Sequence, residues 1–140
     1  MKKILLVEDN TDIRENVTEM LELAEFIVIT AENGNTGLTL AISAMPDLIL
    51  SDIRMPVSDG YEFFEALKKT EATKSIPFVF MTSSVEEKDV LAALKNGADG
   101  YIRKPFDEND LFNVLSKYFN NINAGLNIVP SNSGNDKMKP

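Results

Sequence analysis

Four short stretches of this chain carry groups that could do chemistry together: Glu8-Asp9, Asp52, Thr82-Ser83 and Lys104. The 140 residues include no cysteine and no histidine. Disulfides, thiolate and imidazole metal sites, and Ser-His or Cys-His catalysis are therefore excluded. Carboxylate, hydroxyl and ammonium groups remain. Two like charges about 4 Å apart cost about 4 kcal/mol at an intermediate dielectric, so clustered acids need a cation or a proton. An oxygen-only site with few ligands suits Mg2+ (or Mn2+), which keeps waters and commonly takes one or two carboxylates plus a phosphoryl oxygen. The Thr82 hydroxyl, the backbone N–H groups near Ser83 and the Lys104 ammonium are the kinds of group that stabilise a transferring phosphoryl group. With no histidine available, the natural acceptor is a carboxylate, which would form an acyl phosphate. Asp52 is the candidate because it falls between the acid pair and the Thr/Lys pair in the expected arrangement.

That chemistry requires a fold that brings the four stretches together. Leu48-Ile49-Leu50-Ser51 reads as a short strand buried on both faces, and Asp52 stands at its carboxyl end just before Ile53-Arg54-Met55-Pro56. Open α/β sheets place their ligands at that end. The rest of the chain alternates in the same manner. Strands are expected at Lys2 to Val7, Phe26 to Ala31, Ile76 to Met81 and Asp99 to Arg103. Helices are expected at Asp12 to Glu25 with Asn10 as N-cap, about Thr36 to Ala44 after an Asn33-Gly34-Asn35 turn, and Tyr61 to Thr70. Two more follow at Val85 to Lys95, with Val90, Leu91 and Leu94 inward, and from an Asp107 cap to about Asn120. Five strand–helix repeats imply a parallel sheet with helices on both faces. In such a sheet Glu8, Asp9, Asp52, Thr82 and Lys104 share one rim.

Composition narrows the function further. A hydrophobic content of 44% fits one ordinary globular domain, and no run is long enough to span a membrane. The apolar start is broken at Glu8, too early for a signal peptide. A net charge of -8 argues against direct nucleic-acid binding, which rests on neutralising phosphates. The expected domain is 1–121. Residues 122–140 are rich in Asn, Ser, Gly, Lys and Pro and read as a disordered tail or linker.

Taken singly, each site residue has a plainer reading. Glu8 and Asp9 suit a helix N-terminus, Asp52 a turn, Thr82 an N-cap, Lys104 an exposed surface and Tyr101 ordinary sheet packing. Their joint placement at one rim argues against that set of coincidences. From Lys2 to about Phe119 the chain closely resembles the receiver domain of two-component response regulators, of the chemotaxis-receiver type. The resemblance is carried by Glu8-Asp9, Asp52 to Pro56, Asp59-Gly60, Thr82 and the run from Gly97 through Tyr101 to Lys104-Pro105-Phe106. It implies a doubly wound, flavodoxin-like (βα)5 fold of strand order 2-1-3-4-5. It also implies roles. Asp52 would be the phosphoacceptor. Glu8, Asp9, Asp52 and the Arg54 backbone carbonyl would hold Mg2+. Thr82, Ser83 and Lys104 would bind the phosphoryl group. Thr82 and Tyr101 would switch, and Arg54 and Ser84 would tune the lifetime of the acyl phosphate. A cis peptide at Lys104-Pro105 is implied as well. The phosphodonor would be a sensor histidine kinase or phosphotransfer protein in the cytoplasm. The output partner is unspecified, and the chain would be a monomer or a phosphorylation-dependent dimer.

Two other functions compete with this one. A receiver-like module that no longer uses phosphate would be expected to lack an acid or the lysine, and none is missing. An aspartyl-nucleophile phosphatase would need a second acid two residues after Asp52, where Arg54 stands. The acidic first loop opposes a flavin phosphate. Beyond catalysing its own phosphorylation and slow dephosphorylation, the chain is not expected to be an enzyme. It is expected to act as a lone receiver or as a piece of a longer regulator.

Overall fold

The computed structural model describes residues 1–55, 57–83, 87–95 and 97–119. Ser84, proposed above to tune lifetime, and the expected tail at 122–140 lie outside the described residues.

The chain runs β1 (Lys3–Val7), α1 (Thr11–Leu23), β2 (Ile27–Ala31), α2 (Gly34–Ala44), β3 (Leu48–Asp52), α3 (Gly60–Lys69), β4 (Phe78–Thr82), α4 (Glu87–Lys95), β5 (Gly100–Arg103) and α5 (Glu108–Leu115). All strand pairs are parallel, and the sheet order is β2-β1-β3-β4-β5. The expected doubly wound topology is therefore the observed one. β3 and β4 are buried along their whole length, as their near-continuous apolar runs require.

Alternation along the strands divides the core. Leu5, Val7, Ile49, Phe78 and Phe80 pack with Ala41 of α2, Phe63, Phe64 and Leu67 of α3, and Val90 and Ala93 of α4. Ile4, Leu6, Leu48, Leu50, Val79 and Met81 point the other way, where α1 brings buried Val17 and Leu21. The Phe78 and Phe80 rings stand 4.8 Å apart edge to face, with Phe64 within 5.2 Å of Phe78.

Capping sets several element boundaries, and some boundaries differ from expectation. Asn33 is the N-cap of α2, its side chain accepting from Thr36 N–H at 2.9 Å, so the expected turn is the first step of a helix. Asp59 and Glu62 form a capping box, so α3 begins at Gly60. Thr82 is the last residue of β4 rather than the first residue after it. On α4, Leu91 faces solvent, whereas Val90 is buried and Leu94 half-buried.

Two side-chain carboxylates pin the sheet at the end opposite these caps. Asp47 accepts from Lys3 N–H at 2.7 Å while its own N–H donates to Lys3 O. Asp99 does the same with Phe78, accepting its N–H at 2.8 Å. The chain divides into two compact units, 1–105 and 106 onward. In the second, Asp107 and Asp110 form a capping box for α5, and Leu111, Phe112 and Leu115 are buried. That helix ends earlier than its periodicity suggests.

Candidate functional site

Parallel strands deliver their carboxyl ends to one edge, and the register fixes who meets whom there. Val7 is opposite Ser51, Asp52 opposite Met81 and Thr82 opposite Arg103. One step beyond Val7 comes Glu8, and one step beyond Arg103 comes Lys104. Its N–H donates to Thr82 O at 2.7 Å. The Lys104-Pro105 peptide is cis, as expected.

Glu8, Asp9 and Asp52 each present a carboxylate oxygen, and these oxygens all lie within 4.8 Å of one another. Lys104 Nζ reaches into the same cluster, 2.9 Å from Asp52 Oδ1 and 3.2 Å from Glu8 Oε1. The second Glu8 oxygen accepts from the backbone N–H of Asn10 at 3.1 Å. Glu8 is only 1% exposed and Asp52 7%, whereas Asp9 is open to solvent. Burial is the main cause that pushes the Glu8 pKa up to about 7, and the Asp52 charge adds to it. Lys104 and the Asn10 N–H oppose the shift. Burial also disfavours the Lys104 ammonium, but its hydrogen bond to Asp52 and the charges of Asp52 and Glu8 outweigh that, so its pKa is raised.

The donor set fits a hard divalent cation: oxygen atoms only, convergent, and carrying more negative charge than one lysine neutralises. Thr82 is fully buried, and its hydroxyl donates to Ser83 O at 2.9 Å. Tyr101 is half-buried against the core formed with α2, α3 and α4. The Arg54 side chain is exposed, two residues past Asp52. Thus the acids and the lysine gather as expected, with Thr82 on the adjoining strand.

Two further residues support the site: Gly60, quoted above only for the resemblance, and Arg14, which the sequence does not single out. Gly60 packs so closely on the turn after β3 that a Cβ there would meet the Asp52 carbonyl oxygen and lie 2.9 Å from Ile53 Cα. Its N–H also donates to Ile53 O at 2.7 Å. Arg14 of α1 turns back to the acid loop, donating to Glu8 O at 2.8 Å and, more weakly, to Asp9 O at 3.4 Å.

Residues 4–116 match the family described as the response regulator receiver domain. The chain belongs to that family. This receiver is 35% identical to protein PilH of Pseudomonas aeruginosa over 83% of its own length and 96% of that protein. It is 39% identical to the phosphate regulon transcriptional regulatory protein PhoB of Escherichia coli, over 79% of this chain and 48% of the regulator. The chain thus spans about half the length of several transcriptional regulators that it matches. Among solved structures it superposes on the chemotaxis response regulator CheY4 of Vibrio cholerae with a TM-score of 0.79. There the identity is 33% and the coverage 85% of this chain and 99% of the other. The receiver domain of a Pseudomonas aeruginosa sensor histidine kinase, solved with a magnesium ion coordinated in its active site cleft, gives 0.77 at 29% identity, over 84% of this chain and 96% of that one. Among the described residues, no helix is long and apolar enough to cross a membrane.

Proposed function

We propose that this receiver accepts a phosphoryl group on Asp52 from a phosphohistidine and signals through the change that follows. One observation carries the reading. The Asp52 carboxylate ends β3 amid two further acids and one ammonium, and the excess negative charge asks for a cation. Glu8, Asp9 and Asp52, with the Arg54 backbone carbonyl, would hold Mg2+. Once bound, that ion supplies charge neutralisation for the incoming phosphoryl oxygens.

The chain's own residues do the rest. An Asp52 oxygen attacks phosphorus, and the bond from phosphorus to the donor imidazole nitrogen breaks. Its electron pair stays on that nitrogen, which takes up a proton. Lys104 moves from a carboxylate-only partnership to one that includes a phosphoryl oxygen. The Thr82 hydroxyl exchanges the Ser83 carbonyl for the phosphoryl group, to which the Ser83 backbone N–H also donates, and Tyr101 follows inward. Arg54, whose side chain is exposed, sets together with Ser84 how readily water reaches the acyl phosphate. Donor and output partner are a histidine kinase or phosphotransfer protein and an effector still to be found.

The test is intact-mass measurement after incubation with a small phosphodonor and Mg2+. One added phosphoryl group is expected on the wild type and none on Asp52→Asn. Equal modification of the variant would remove Asp52 from the reaction.

A further inference from the structure

We propose that Arg14 is a positioning residue for the acid loop, setting the directions in which Glu8 and Asp9 present their carboxylates. The Glu8 carbonyl belongs to the rigid peptide plane that precedes the Asp9 Cα, and the Asp9 carbonyl to the plane that follows it. One Arg14 guanidinium nitrogen donates to both, at 2.8 and 3.4 Å. Holding both planes holds φ and ψ of Asp9, and with them the direction of its Cβ.

The second plane does more. Its oxygen accepts the weaker, 3.4 Å bond from Arg14, and its N–H, on Asn10, donates to Glu8 Oε2 at 3.1 Å. Arg14 therefore orients the donor that helps keep Glu8 turned inward toward Lys104. The arginine is itself well anchored. It lies in the first turn and a half of α1, its backbone N–H bonded to Asn10 O at 2.9 Å, and its second terminal nitrogen reaches Thr11 Oγ1 at 3.4 Å. A planar fork on a helix is a stiffer brace than a lysine ammonium.

The inference rests on the reading of the acids as a Mg2+ site. Charge and geometry pull in opposite directions here. A cation at position 14 repels Mg2+, whereas correct presentation of two ligands favours it. Arg14 is half-buried at the surface, where its charge is screened. Groups that orient metal ligands typically contribute 10–100-fold in affinity. Geometry should win.

The experiment titrates Mg2+ into the wild type, Arg14→Ala and Arg14→Lys by calorimetry, with thermal melting and amide exchange in chelator alongside. Arg14→Ala is expected to weaken Mg2+ binding on the order of tenfold, and Arg14→Lys to recover part of the loss. The melting temperature in chelator should move by only a few degrees. Exchange at the Asn10 amide should quicken in Arg14→Ala relative to Leu5 and Ile49, which lie in the strands. Mg2+ binding as tight as wild type, or tighter, in Arg14→Ala overturns the proposal. If that variant fails to fold, the same comparison is read on Arg14→Lys. A wild type that binds no Mg2+ would defeat the metal-site reading instead. The Asn10 exchange then decides the role of Arg14 by itself, and unchanged exchange overturns it.

Discussion

The Lys104 ammonium lies 2.9 Å from Asp52 Oδ1, a pairing between residues 52 positions apart that also recruits Glu8. In this state the lysine occupies ground between the carboxylates that a cation would also neutralise. Lys104→Met should therefore have opposite effects with and without metal. In chelator it leaves two buried acids unpaired and should cost about 2 kcal/mol, below the range for fully buried pairs because the lysine is partly exposed. Mg2+ affinity should rise several-fold once the competing charge is gone. Melting curves in chelator and in Mg2+ check both, and equal behaviour of variant and wild type in the two conditions would contradict the arrangement.

The acid Glu8 gives the metal-free protein a pH dependence of known sign. Its pKa is about 7 in the folded state against an ordinary 4.5. Between those values the folded protein keeps a proton that the unfolded chain has released. Stability from this group is complete below 4.5 and is lost as pH rises through about 7, by up to roughly 3 kcal/mol. Glu8→Gln should flatten that limb of a stability–pH curve taken in chelator. An unchanged slope in the variant would assign the dependence elsewhere.

At Gly60 the constraint is steric. A Cβ there meets the backbone around Asp52 and Ile53, not the end of a flexible side chain. Gly60→Ala should cost about 2 kcal/mol or more by urea denaturation, and should slow phosphorylation of Asp52 by displacing the turn. Wild-type stability in this variant would mean that the turn relaxes freely.

Val57 offers a gain instead. It has φ of 73°, a left-handed conformation that costs a β-branched residue about 1–2 kcal/mol, and the residue is 77% exposed. Val57→Gly removes the clash but adds unfolded-chain entropy. A net gain of about 0.5–1 kcal/mol is expected, seen as a melting temperature a few degrees higher. A lower melting temperature would show that the glycine's unfolded-chain entropy, with any lost valine contacts, outweighs the relieved strain.

Most of the fold is legible in the residues because hydrophobic periodicity, turn residues and caps agree along the chain. Leu48 to Leu50 and Phe78 to Met81 can only be buried strands in an alternating pattern, and the rim that collects Glu8, Asp9, Asp52 and Lys104 follows from their being parallel. The differences have local causes. Asn33-Gly34 reads equally well as a turn or as a cap followed by a small first residue, and Ser58 and Phe63 crowd Gly34 so that only glycine fits. Leu91 belongs to an apolar spacing, but α4 turns it outward. Arg14 was not legible because an arginine five positions after an acid has many possible partners, and backbone carbonyls leave no mark in the sequence. For the same reason Lys104 could be matched to a phosphoryl group but not to Glu8.

The bond between Asp47 and the Lys3 backbone lies at the opposite end of β3 from Asp52. Five residue steps separate the two aspartates, about 17 Å of nearly inextensible chain. One acts as the zero mark and the other as the graduation that is read. A slip of a single residue would turn Asp52 to the other face of the sheet. The accuracy with which this receiver presents the Asp52 carboxylate is thus a matter of metrology, set at the far end of a ruler by an acid that stands outside the carboxylate cluster.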